Sequence, residues 1–215
     1  MDIILALTKE LNVEKWQIEA AVKLIDEGNT IPFISRYRKE VTGALNDEVL
    51  RNLNDRLTYL RNLEEKKTQV LSSIEEQGKL TEELKKQILE AQTLVVVEDL
   101  YRPYRPKRRT RATIAKEKGL EPLANIILLQ MTDKSLEEEA KAFVSEEKEV
   151  ATVKEAISGA KDIVAESISD KADYRSEIRE RTFRKSMLVS TAKKPEETSV
   201  YEKYYEYEER VEKMP

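Results

Sequence analysis

Apolar residues recur along most of this chain at alternating spacings of three and four. Leu50, Leu53, Leu57 and Leu60 follow a 3-4-3 pattern, and Leu71 and Ile74 resume it, the spacing of one helical face. Asn46 precedes the run as a cap, Asp47 and Glu48 place negative charge where the helix dipole favours it, and Gly78 stops it. A long helix near 47–77 is therefore predicted. Glu64 and Lys67 fall on the seam between the two apolar stretches. The middle of the helix is thus expected to be partly solvated, and a coiled-coil dimer is not indicated.

The flanking segments carry the same periodicity in shorter pieces. Asp2 to Leu11 reads as a short apolar helix. Asn12 reads as the cap of a second, which runs through Trp16, Ala20, Ala21, Leu24 and Ile25 to Gly28. Pro32 suits the first turn of a third. There Phe33, Ile34 and Tyr37 lie within one turn of each other, with Arg36, Arg38 and Lys39 interspersed, and Gly43 closes the segment. Thr81 opens a helix to about Ala91, and Thr93 another that ends near Tyr101. The β-branched run TLVVV, 93–97, sits between helical signals. Arg111 to Lys118 should be helical up to Gly119, and Pro122 starts an apolar helix through Ile126, Ile127 and Leu128. Ser135 with Glu138, and Thr152 with Glu155, have capping-box spacing. The second box opens a long helix with Ile157, Ala160, Ile163, Val164 and Ile168, in which Gly159 marks a close helix crossing. Asp170 is expected to cap a continuation to about Lys185. MLVSTAKKPEETS reads as a connector. The acidic end, with Tyr201, Tyr204, Tyr205 and Tyr207, reads as a helix whose packing partner lies outside this chain. The predicted fold is all-α and multi-helical with a bipartite body: a helical unit over 1–97, a basic connector and short helix over 98–120, and a second helical unit over 121–215.

Charge changes this picture at one place. Between Glu98 and Leu120 stand eight lysines and arginines against three acids, inside a chain of net charge -4. Pro103 and Pro106 fix backbone φ and remove donors, so no helix can run through them. A stiff, extended, exposed connector follows. Arg102, Arg105, Lys107, Arg108, Arg109 and Arg111 are the candidate phosphate contacts, with Tyr104 as a stacking group. A plainer reading has Tyr101 and Tyr104 packed on the helices and the cations paired with acids elsewhere, and the residues alone leave both open. IPFISRYRKEVTG, 31–43, is a second mixture of aromatic and basic groups. For it the favoured reading is Phe33, Ile34 and Tyr37 in the core, with Arg36 and Arg38 bridging to acids of the long helix. Helices near 14–27 and 32–39 are also compatible with a helix–turn–helix, a pattern common in helical proteins.

Composition removes whole classes of chemistry. The 215 residues include no Cys and no His. Disulfides, thiol catalysis, His-containing triads and the usual zinc ligands are excluded. No spacing matches a calcium loop, a phosphate-binding P-loop or a dinucleotide fingerprint. No enzyme, cofactor or metal is expected. The amino terminus shows no basic leader, and no window approaches the ~20 apolar residues of a membrane span; the default is a cytoplasmic protein.

At EDLYRPYRPKRRTRATIAKEKGLEPLA, 98–124, the chain resembles the Tex family of bacterial transcription accessory proteins, which carry an S1-type RNA-binding domain. IPFISRYRKEVTGALNDEVL, LTYLRNLEEKK, IEEQGKLT, GAKDIVAESISD and the closing KYYEYEERVEKMP resemble corresponding segments, so the likeness covers essentially the whole chain. It implies a protein several times longer, continuing with a resolvase-like domain of RNase H type, helix–hairpin–helix elements and a C-terminal OB-fold domain that binds RNA. This chain would then be the N-terminal helical part, a fragment ending before the resolvase-like domain. The family is related in core architecture to a eukaryotic transcription elongation factor, which implies a scaffold acting near RNA polymerase. Its nuclease-like candidate site lies outside this chain, so no catalytic residue carries over. The expected function is a scaffold module with an auxiliary, sequence-indifferent contact to RNA or DNA, weak from this part alone. The alternative is a protein-interaction or purely structural module, docked on polymerase or on the C-terminal domains of the same protein.

Overall fold

The computed structural model describes residues 2–106 and 108–214. They form twelve α-helices and one two-stranded sheet, an all-α fold. The chain divides into two compact units, Met1–Glu98 and Asp99–Pro215.

In the first unit α1 (Ile3–Leu11), α2 (Lys15–Asp26), α3 (Ile31–Tyr37) and the single turn α4 (Lys39–Thr42) gather around α5 (Asp47–Glu76). The Asn46 side chain accepts from the Val49 N–H at 2.8 Å, so the long helix starts where its cap residue stands. Leu50, Leu53, Leu57, Leu60 and Leu63 are buried along its seam with Leu7, Ile18, Ala21 and Ile34. Asn12 does not cap α2: it closes α1 in the left-handed conformation at φ 52°, a role that Asn fills when Gly is absent. The α2 start falls at Glu14, whose N–H donates to the Gln17 side chain at 3.1 Å.

The expected solvated middle of α5 is also corrected. Lys67 is 1% exposed. Its ammonium donates at 2.9 Å to Glu64 and at 2.9 Å to the carbonyl of Leu89, beside α6 (Glu82–Glu90). Burial of the lysine is tolerated because its charge is paired and its donors are used. The seam therefore continues through Leu63, Lys67, Val70 and Ile74 without a break.

Around α3 only Ile34 is core; Phe33 is half-buried and Tyr37 is exposed. Among the described residues Arg36 and Arg38 make no ion pair, and the expected bridges to acids of α5 are absent. The ion pairs that α5 makes with its neighbours run the other way, from its own cations to acids of α1 and α2. Arg56 meets Glu10 of α1, at 2.5 and 2.9 Å, and Arg61 meets Asp26 of α2, at 2.7 and 2.8 Å. Both are forked pairs, and both acids are held below the usual carboxylate range by these hydrogen bonds.

The second unit begins inside α7 (Leu94–Tyr101) and continues through α8 (Arg111–Glu117), α9 (Glu121–Leu129), α10 (Leu136–Lys141), α11 (Val153–Ser169) and α12 (Ala172–Lys185). Its core joins Ala112 and Ala115 of α8 to Leu120, Leu123, Ala124, Ala140, Val150, Ala156, Ala160 and Ile163. The crossing of α8 on α11 is close because of Gly159: a Cβ there would stand 2.5 Å from Leu120 Cδ1 and 3.2 Å from Ala115 Cβ. Ser135 and Glu138 form the full capping box. Thr152 accepts from Glu155 N–H, but the Glu155 carboxylate turns to Ala151 N–H instead of Thr152.

Three expectations fail towards the C-terminus. Asp170 ends α11 and does not cap α12, which begins after the extended Lys171. The connector contains β1 (Met187–Thr191), and the tyrosine-rich end contains β2 (Glu206–Arg210), not a helix. The strands pair antiparallel, with Met187 opposite Arg210 and Thr191 opposite Glu206. Val189 and Thr191 on one strand and Tyr207 on the other favour a pleated partner, and a partner is available only across a long loop. Among the described residues no helix is long and apolar enough to cross a membrane.

Candidate nucleic-acid interface

The described candidate residues of the basic segment lie within the second unit, on the connection from α7 to α8 and, for Arg111, at the first residue of α8. It is not extended throughout. The backbone N–H groups of Tyr104 and Arg105 return to the carbonyl of Tyr101 at 2.9 and 3.0 Å, so residues 102–105 form a turn coming off α7. This correction follows from Pro103 itself, which forbids a continuing helix but tolerates a turn at fixed φ. Pro106 and residues 108–110 have irregular backbone. Lys107 lies outside the described residues.

The segment is strung along one face of α11. Asp162, Glu166 and Asp170 stand four residues apart and so share that face. Arg111 reaches Asp162 at 3.5 Å, the Thr110 hydroxyl donates to Glu166 at 3.0 Å, and Arg102 reaches Asp170 at 3.1 Å. Thr110 also accepts from Thr113 N–H at 3.0 Å and so caps α8. One residue thus fixes the helix start and the end of the basic run. Neither Thr110 nor the acidic row is among the candidate site residues that the sequence suggests. The row was readable as an i, i+4, i+8 acidic stripe on a predicted helix.

The start of the segment is anchored separately. Asp99, the last acid of α7, is buried, with its side chain 8% exposed. Arg175 Nε donates to one of its oxygens at 2.7 Å and Arg179 to the other at 2.6 Å, both from α12. Burial alone would push the Asp99 carboxyl up, but the two guanidinium hydrogen bonds outweigh it and hold the group below its ordinary range.

The candidate side chains sort into two sets. Arg102, Arg109 and Arg111 have carboxylate partners, Arg109 through Glu117 at 2.7 Å. All three remain well exposed, Arg111 at 86%. Arg105 and Arg108 are exposed and have no ion pair among the described residues. Tyr104 is half-buried. The plainer reading of the segment is therefore met in part: intramolecular acids position three of its arginines without burying them. Exposed pairs of this kind contribute about 0–1 kcal/mol each, so a phosphate can replace such a carboxylate at little cost. Among the described residues no three His, Cys, Asp or Glu side chains are grouped to hold a metal ion.

Residues 1–75 match the Tex-like protein N-terminal domain, and residues 132–215 match the Tex central region-like family. The chain belongs to the Tex family. It is 42% identical over 217 residues to the transcriptional accessory protein Tex of Neisseria gonorrhoeae, covering 100% of this chain and 28% of that one. It is 46% identical over 211 residues to the protein YdcI of Bacillus subtilis (strain 168), covering 97% of this chain and 29% of that one. It is 29% identical over 192 residues to the human S1 RNA-binding domain-containing protein 1, covering 89% of this chain and 19% of that one. The chain thus spans less than a third of the length of these relatives. The basic segment falls between the two matched stretches.

Proposed function

We propose that this chain is a non-catalytic N-terminal scaffold module of a transcription accessory factor. Its basic segment makes an auxiliary contact with RNA or DNA that is indifferent to base sequence. The observation that carries this reading is the pair Arg105 and Arg108, exposed and without a carboxylate partner among the described residues, on a segment whose two ends are pinned to α11 and α12. Pinning keeps the cations on a defined backbone, and Arg suits phosphate because its donors form a planar fork. The names of two relatives, a transcriptional accessory protein and an S1 RNA-binding domain-containing protein, agree with the setting. RNA polymerase or other transcription machinery, and the remaining domains of a longer protein, are the partners that such a scaffold would join.

Fluorescence anisotropy with labelled single- and double-stranded oligonucleotides over a salt series tests this. For about five phosphates, log K falls against log salt with a slope of roughly -3 to -5. A second reading, a protein-interaction or purely structural module, is favoured by the three arginines that already have carboxylate partners. No binding at low salt would select it.

A further inference from the structure

The segment around α3 combines features that neither the core nor the basic segment absorbs. Tyr37 is 62% exposed and Trp16 is 52% exposed. Tyr37 ends α3; one residue on, the single turn α4 begins, and it ends at Gly43. Gly43 lies under the Trp16 indole, so close that a Cβ would stand 2.5 Å from its ring. The amide of Gln17 fastens this corner by donating to the carbonyls of Thr42 and Gly43 at 3.1 and 3.2 Å. The two exposed aromatics therefore flank one turn of helix.

The cations at this corner have no carboxylate partner among the described residues, although the Arg38 guanidinium donates to the Tyr37 carbonyl at 3.1 Å. Arg38 lies over the Phe33 ring at 5.2 Å, and the Phe33 and Tyr37 centroids are 5.4 Å apart. Among the described residues Arg36, Arg38 and Lys39 form no ion pair, although Glu40 is adjacent in sequence. The Tyr37 hydroxyl and the Trp16 indole N–H likewise have no hydrogen-bond partner among the described residues. Exposed rings are costly to keep in water, and cations beside them that are not neutralised by a carboxylate select an anionic partner with flat faces. Single-stranded nucleic acid supplies both, since bases stack on aromatic rings and phosphates meet Arg and Lys.

We infer that α3, α4 and Trp16 form a stacking site for single-stranded nucleic acid on the first unit, separate from the basic segment of the second. Bases stack on Tyr37 and Trp16, and Arg36, Arg38 and Lys39 meet the phosphates. The site lies wholly within the first unit and does not depend on the basic segment binding anything.

Trp16 is the sole tryptophan of the chain, so its fluorescence reads this site directly. The test titrates the full chain with oligouridylate and with oligothymidylate of about twelve nucleotides, long enough to span such a site. The expected result is saturable quenching of Trp16. Tyr37→Ala should raise Kd about 5- to 100-fold, the loss of one stacked base, while Tyr37→Phe keeps Kd within a few-fold. Because Tyr37 is exposed and its ring contact is with Phe33, Tyr37→Ala should leave the circular dichroism spectrum unchanged and lower the melting temperature by no more than about 5 °C. The two probes separate RNA from DNA. The double variant R105E/R108E keeps Trp16 quenching if the site is real, whatever becomes of the basic segment. Absence of quenching at low salt, or Tyr37→Ala binding like the wild type, overturns the inference; a polypeptide as the true occupant of this corner would produce that result.

Discussion

Replacing Asp99 with asparagine should release α12 from the rest of its unit. The helix contributes no fully buried residue of its own, so packing alone holds it weakly. What fixes it is the Asp99 carboxylate, which accepts from Arg175 at 2.7 Å and Arg179 at 2.6 Å. An asparagine of the same shape keeps one acceptor oxygen and turns an N–H₂ donor toward the other guanidinium. One charge-assisted bond is lost and a donor–donor clash replaces it. Breaking a fully buried pair costs about 3–5 kcal/mol. Both arginines here are a third to a half exposed, which lowers the expectation to about 2–4 kcal/mol. If the loss is local, amide exchange over 172–185 should accelerate about 30- to 1000-fold, since each 1.36 kcal/mol is tenfold. Exchange in α5, which belongs to the other unit, should not change. The sign of the pH dependence follows from the lowered carboxyl. Its contribution is complete above the unfolded value of about 4 and is lost as pH falls through the lower folded value. Hydrogen–deuterium exchange by mass spectrometry at pH 7 decides the matter. Unchanged exchange over 172–185 would show that α12 is held by something other than Asp99.

Two further substitutions test the packing of each unit. Gly159→Ala should destabilise the second unit by about 1–3 kcal/mol, because the added methyl meets Leu120 and Ala115 at the α8–α11 crossing; urea denaturation followed by circular dichroism reads this. Lys67→Ala should cost about 2–4 kcal/mol in the same assay, since it removes the buried stem and leaves the Leu89 carbonyl and Glu64 without their shared donor.

Much of the helical body was readable because helix ends announce themselves locally. Asn46, Thr81 and Ser135 cap where their side chains stand, and Gly43, Gly78 and Gly119 take the positive φ that ends a helix. Even in TLVVV, 93–97, the run from Leu94 onward resolved to helix, because its flanking signals outweigh β-branched propensity. What escaped was long-range. The hairpin depends on pairing Met187 with Arg210 across a loop that contains Pro195, and segments rich in Glu, Lys and Arg read as helix when their partner is unknown. Lys67 looked solvated because lysine usually is; its place in the 60-63-67-70-74 seam was the better guide. The basic segment was legible as charge, but its geometry was not. The carboxylates that set it, Asp162, Glu166 and Asp170, lie about 50 to 70 residues away in sequence.

The most direct measurement is the salt dependence of oligonucleotide binding by the wild-type chain and by R105E/R108E, read by anisotropy. Both arginines are exposed and outside every described ion pair, so their reversal should leave the fold intact. The account predicts that the slope of log K against log salt becomes shallower by about 1.5–2, the share of two phosphate contacts. An identical slope in the two proteins would mean that these arginines do not meet phosphate and would contradict the account.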